Sequence, residues 1–131
     1  MRPRSSARVI DRRERGSVTI VFAAMLPVVL VLAMGTADLG RTLVARSHAR
    51  AAADAAALAA AQELALPSGA DPAALAAEYA RRGGGELTAC TCTAGTYEAV
   101  VDVQVRVGDL LLIPGSTVAT ARARAVVDVP A

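Results

Sequence analysis

The feature that most constrains this chain is a run without formal charge, Gly16 to Ala37, reading GSVTIVFAAMLPVVLVLAMGTA. An α-helix rises about 1.5 Å per residue and needs about 20 apolar residues to cross the hydrocarbon core of a bilayer. The run is long enough to span, with Arg15 closing one end and Asp38 the other. A buried core helix of a soluble protein is the plainer alternative, and both length and flanking charge argue against it. Pro27 lies inside the run. Proline lacks an amide hydrogen and crowds the carbonyl four residues back, so a kink is expected there, not a stop. Membrane helices tolerate such breaks.

The charge distribution gives the run a direction. Residues 1–15 carry six Arg (Arg2, Arg4, Arg8, Arg12, Arg13 and Arg15) against Asp11 and Glu14. Basic residues are retained on the cytoplasmic side, so this leader is expected inside and residues 38–131 outside. A cleaved export signal ending near Ala37 is the competing reading. It would release a small secreted binding module without an apolar helix. The uncharged run is longer than the 7–15 residues of an ordinary signal core, which favours retention. Arg12-Arg13 forms a twin arginine with no hydrophobic core directly after it.

Composition removes other classes. The chain is 54% hydrophobic, which a fully disordered protein is not. Two Cys are too few for a disulfide-dense scaffold. With no Trp, one Phe and two Tyr, it lacks the stacking platforms of a single-stranded nucleic-acid binder, so no nucleic acid is expected as a partner. Every basic side chain is Arg. A basic leader could touch an anionic surface, but membrane topology accounts for it.

Beyond the run, residues 38–66 favour helix. Ten of the thirteen residues 49–61 are Ala, the best intrinsic helix former, and Leu39, Leu43, Leu58 and Leu64 are expected as sparse apolar anchors. A helix continuous from Val18 to Leu66 would extend about 73 Å. Pro67-Ser68-Gly69 ends it. Asp71 followed by Pro72 reads as an N-cap and first helical residue, which starts a short helix over 72–82. Leu75 and Tyr79 are its expected contact face, and Gly83-Gly84-Gly85 stops it. The period then changes to two. Tyr97, Ala99, Val101, Val103, Val105 and Val107 alternate with more polar positions, as do Ala119, Ala121, Ala123, Ala125, Val127 and Val129. Gly108-Asp109 reads as a turn, Leu110–Ile113 as a short apolar segment stopped by Pro114-Gly115, and residues 86–93 as a third strand. The fold class is α+β: a long transmembrane helix, a short second helix and a small C-terminal antiparallel sheet. The expected organisation is a basic leader over 1–15, a span over 16–37, an Ala-rich extension over 38–66 and an α+β module over 67–131.

The segment Arg15-Gly16-Ser17-Val18-Thr19-Ile20-Val21-Phe22, the apolar run, and ADLGRTLVARSHARAAADAAALAAAQEL (residues 37–64) together resemble the TadE/TadG-like proteins of Flp (tight-adherence) pilus assembly. The look is closest to short actinobacterial TadE-like proteins encoded near secretion ATPases. The ADAAALAA stretch, Ala53–Ala60, is the most specific element, and the resemblance covers residues 15–66. It implies a pilin-like, single-pass pseudopilin whose leader is cut after Gly16, so that the processed form starts at Ser17. The family's processed members place Glu five residues after that Gly, beside an aromatic; this chain has Val21 before Phe22. In pilins that carboxylate is thought to pair with a neighbour's new terminal amine, which Val21 cannot do. An uncleaved membrane-anchored accessory protein is the alternative that Val21 leaves open beside the processed pseudopilin.

Catalytic chemistry has little to stand on. His48 is the one His, in an Arg-rich helical stretch where a solvated role is the ordinary one. No Ser or Cys has a visible base and orienting partner. Gly83–Gly85 lacks the Lys-Ser/Thr of a phosphate loop. Cys90-Thr91-Cys92 offers no second ligand pair for zinc; the open alternatives are a disulfide with each other or thiols that link subunits. No enzyme, cofactor or metal is expected. The expectation is a component of a Tad/Flp-type pilus or secretion assembly that acts by helix packing, with Phe22, Pro27 and Leu32 as packing positions in the span. Its partners would be the lipid bilayer, other pilin-like or secretion-system membrane subunits, and further copies of itself. Its place would be the cytoplasmic membrane, with a surface filament as a further destination.

Overall fold

The computed structural model describes residues 12–128, with side chains described from Val18 onward. Residues 1–11 of the leader expected over 1–15, and Val129 of the last expected strand, lie outside the described residues, while Arg12–Arg15 belong to the first helix. Two compact units emerge, up to Thr36 and from Ala37. The elements are α1 (Arg12–Ala65), α2 (Pro72–Arg82), β1 (Glu86–Cys92), β2 (Glu98–Asp109) and β3 (Ser116–Val126). This is an α+β arrangement, as expected.

In the first unit α1 carries its helix through Pro27. The missing amide hydrogen leaves the Ala23 carbonyl without its usual donor. Thr36 Oγ1 donates back to the Ala33 carbonyl at 2.9 Å, an i−3 bond that lets a hydroxyl sit in an apolar helix.

In the second unit, the sheet order is β1-β2-β3 and both pairings are antiparallel. On the inner face of β2–β3, Ala99 pairs with Ala125, Val101 with Ala123, Val103 with Ala121 and Val105 with Ala119. Val101, Val103 and Val105 thus each stand beside an Ala of β3, which leaves room for the helix above. That helix contributes Ala52, Ala53, Ala56, Ala57, Ala60 and Ala61, all buried, and α2 adds Ala76 and Ala80. A smaller cluster joins Ala45 and Ala49 to Ala119. Val101 and Val103 are the largest side chains that are fully buried. Alanine buries little area per residue, so this core is thin for its length.

Three expectations are corrected here. Leu39, Leu43 and Leu58 are exposed, and only Leu64 packs against the core; the alanines form the inner face because they admit the sheet more closely. On α2 the buried face is Ala76 and Ala80, while Leu75 is half-buried and Tyr79 is exposed with the Arg82 guanidinium 5.1 Å from its ring centre. Gly108 is no turn: β2 runs to Asp109, and the register slips between Arg106 and Gly108, where Gly108 takes φ +82°. A glycine at positive φ is the usual centre of such a bulge. The turn proper lies beyond it, at Leu110–Gly115.

The ends of α2 follow their residues. Asp71 accepts from the Ala73 and Ala74 amides at 3.4 and 3.2 Å, capping the helix start. At the other end Gly84 N donates to the Arg81 carbonyl and Gly85 N to the Ala80 carbonyl, with Gly84 at φ +78°. That is the Schellman arrangement, which satisfies carbonyls the helix leaves open.

Candidate functional site

The surface with the clearest chemical character in the first unit is α1 itself. From Val18 to Met34 every large apolar side chain is exposed, Phe22 at 72% and Leu32 at 64% among them. Phe22, Pro27 and Leu32 stand five residues apart, which advances about 140° each time around a helix. They therefore occupy three sides of α1 and share no single stripe. A helix that is apolar all round is built to be surrounded, by lipid or by other helices. Among the described residues this is the one helix long and apolar enough to cross a membrane. Gly16 and Ser17 lie within the helical backbone of α1.

In the second unit two carboxylates hold loops against α1. Asp38, 8% exposed, accepts the Leu111 amide on Oδ1 at 2.8 Å and the Leu112 amide on Oδ2 at 2.9 Å. These two backbone donors hold the Asp38 carboxyl below the usual carboxylate range against the opposing effect of burial, and the nearby Arg41 guanidinium adds a lesser pull in the same direction as the donors. Arg41 Nη1 also donates to the Asp109 carbonyl at 2.9 Å. Glu63, equally buried, closes the α1–α2 connection. Its Oε2 accepts from the Ser68 hydroxyl at 2.7 Å, and its Oε1 accepts the amides of Ser68, Gly69 and Ala70 at 2.6–3.1 Å. The Ser68 hydroxyl is the main reason its carboxyl is held low.

The outer face of the sheet is polar. Asp102 and Arg122 form a two-pronged pair at 2.7 and 2.8 Å, and Arg124 reaches Glu98 at 2.7 Å. The Arg122 hydrogen bonds lower the Asp102 carboxyl and raise the guanidinium. Exposed pairs of this kind add little stability; they make the face soluble and fix the β2–β3 register.

Cys90 and Cys92 are joined in a disulfide on β1. Both are half-buried toward the core, and Thr91 between them is exposed, as strand alternation requires. His48 is exposed, and an open groove beside it is lined by Gly40, Val44, Ala45, Val105 and Val107. Among the described residues no group of three His, Cys, Asp or Glu side chains could hold a metal ion. Sequence reasoning placed Gly16, Ser17, Phe22, Pro27 and Leu32 on one helix, and the two Cys on one strand. It passed over Asp38 and Glu63 as holding groups. The signal for Asp38 was present in the loop: Leu110–Gly115 has no polar side chain of its own to satisfy its amides, so it must borrow an acceptor.

No curated protein and no solved structure was found to match this chain. A family model does match, beginning at the uncharged run and ending at Glu63. That family is a pilus-assembly component and not a known enzyme family, and together with the one apolar helix it fits a pilus component associated with a membrane. Over residues 16–63 the chain is similar to the family described as putative Flp pilus-assembly TadE/G-like.

Proposed function

We propose that this protein is a single-pass, pilin-like membrane subunit of a Tad/Flp-type pilus or secretion assembly. Residues 16–37 span the cytoplasmic membrane, the Arg-rich leader stays inside and residues 38–131 lie outside. The observation that carries this reading is the uncharged stretch of α1, which exposes apolar side chains on every side within the matched segment. Its action is packing. The span sits in lipid and then exchanges lipid for neighbouring helices, where close van der Waals contact drives association. Gly35 and the small residues around it suit such contact. Residues 38–65 carry the sheet, and the partners are other pilin-like subunits or further copies of this chain.

A second reading is favoured by Val21. Without a carboxylate there, a cleaved subunit has no side chain to pair with a neighbour's terminal amine. The protein would then keep its leader and serve as a permanent anchor beside the assembly. The deciding experiment is the intact mass of the protein extracted from its native membranes. A start at Ser17 supports processing and entry into a filament. A start at or beside Met1 supports the retained anchor. Recovery in the soluble fraction with a start near Asp38 overturns both and leaves the secreted module.

A further inference from the structure

The β2–β3 loop is unlike the rest of the module. This domain fills its core with Ala and Val and keeps its sheet face charged, yet it shows solvent Leu111, Leu112 and Ile113 at 54%, 46% and 64% exposure, one after another. Leu110 to Gly115 carries no charge and no polar side chain. Runs of exposed large apolar residues on soluble surfaces mark contact sites. The loop is also held in place, because its Leu111 and Leu112 amides are both bound by the Asp38 carboxylate. Asp38 directly follows Ala37, the last residue of the uncharged run. At about 1.5 Å per residue along a helix, chain connectivity alone keeps Asp38 within a turn of the level where the span ends.

We propose that Leu111, Leu112 and Ile113 form a lipid-contacting tip that enters the outer boundary of the bilayer crossed by residues 16–37. The proposal rests on the spanning reading above and adds a second membrane contact to it. Three features suit a lipid surface. An element entering the interface must bring its backbone donors already satisfied, and Asp38 takes two of them. The flanks are ionic where headgroups would be: the Arg41 guanidinium is bound to the Asp109 carbonyl at 2.9 Å. The tip is also small. Three side chains supply only a minor part of the roughly 1,200–2,000 Å² that a stable protein interface buries, whereas apolar groups need only about 5–10 Å of insertion to engage the headgroup–acyl boundary. Two contacts would then fix the module's tilt on the membrane, which a lone helix leaves free.

The chain contains no Trp, so a single introduced Trp reports its own site. Full-length Leu112→Trp, Phe22→Trp and Tyr97→Trp would each be reconstituted into phosphatidylcholine–phosphatidylglycerol vesicles that contain acyl-brominated phosphatidylcholine. Tyr97 precedes β2, at the opposite end of the sheet from the loop. The expected result is blue-shifted Leu112→Trp emission, quenched more by shallow than by deep bromines, with Phe22→Trp quenched and Tyr97→Trp unaffected. Ile113→Trp repeats the test with a neighbouring side chain. Quenching of Phe22→Trp without quenching at 112 or 113 overturns the tip and leaves the span standing. An unquenched Phe22→Trp removes the span and the tip with it. Emission at 112 and 113 that is blue-shifted, unquenched by bromine and dependent on protein density assigns the tip to a neighbouring subunit and overturns the lipid contact. Equal quenching at 97 and 112 also overturns it.

Discussion

Gly83 lies against Ala52 so closely that a Cβ added at Gly83 would stand 2.6 Å from the Ala52 Cβ and 3.0 Å from its Cα. The backbone at Gly83 is ordinary, with φ −80°, so the constraint is space and not conformation. Gly83→Ala should therefore lower stability by about 1–3 kcal/mol, the usual range for overpacking. Adding Ala52→Gly removes the Cβ contact but leaves the Cα, and it costs about 1 kcal/mol of helix propensity. The double variant should recover only part of the loss. Gly84→Ala has open space but φ +78°, and it should cost about 1–2 kcal/mol by conformation alone. Thermal midpoints in detergent, followed through amide exchange of Val101 and Val103, would check the order. A Gly83→Ala protein as stable as the parent would mean that α1 and α2 are not this close.

Glu63 should make the module acid-sensitive. Its carboxyl is held below the ordinary 4.5, chiefly by the Ser68 hydroxyl and then by the Ser68, Ala70 and Gly69 amides. Such a group binds its proton more tightly in the unfolded chain. Its stabilisation is complete above 4.5 and is lost as pH falls from there through the lower folded value. Asp38 and Asp102 shift the same way. Stability should be flat near neutrality and decline below about pH 5. Glu63→Gln should be less stable at pH 7 and show a shallower acid decline, measured as midpoints across a pH series. An unchanged acid slope in Glu63→Gln would remove Glu63 from the account.

Asp38→Asn tests the hold on the β2–β3 loop. The amide side chain replaces one of the two accepting oxygens with an NH2 group, which would set a donor against the Leu111 or Leu112 amide, so the two donors cannot both be served as they stand. Exchange at these two amides should accelerate several-fold while Val101 and Val103, deep in the sheet, stay protected. Uniform acceleration across the sheet would instead show that Asp38 supports the whole module.

The large elements were legible because their signals are local. The charge gap from Gly16 to Ala37 marks the apolar helix, and period-two alternation from Ala99 to Val105 gives both the strand and its inner face. The burying face of α1 was not legible. Where ten of thirteen residues are Ala there is no contrast from which to read a period, so the rarer leucines stood out; Leu39, Leu43 and Leu58 are exposed. The roles of Asp38 and Gly83 were hidden for a different reason. Their partners, Leu111 and Ala52, lie 73 and 31 positions away, and single-sequence patterns do not reach that far.

The Cys90–Cys92 bond makes a prediction about assembly. With both sulfurs joined within one chain, neither is left to link subunits. The protein purified without reductant should run as a monomer on a non-reducing gel and resist alkylation until reduced. Its mass should be lower than the thiol form by two hydrogens. A reductant-sensitive dimer would assign these residues to a link between copies.

The span can be tested by magnitude. On the insertion scale Leu, Ile, Val and Phe contribute about −0.3 to −0.6 kcal/mol each near a helix centre, while Arg costs about 2.5–3.5 kcal/mol. The ten such residues from Val18 to Leu32 therefore supply on the order of 4 kcal/mol. One Arg brings the balance near zero, and two exceed it. Leu32→Arg, close to the charged end, can also extend its guanidinium toward the interface, which lowers the cost further. It should retain a reduced but clear membrane-integral fraction under alkaline carbonate. Leu26→Arg with Leu32→Arg should be fully extracted. Extraction of the parent protein would show that Gly16–Ala37 does not span. Retention of the double variant would show that neighbouring helices hold it in place, which is itself the packing expected of an assembled subunit and would be separated by repeating the extraction with the protein expressed alone.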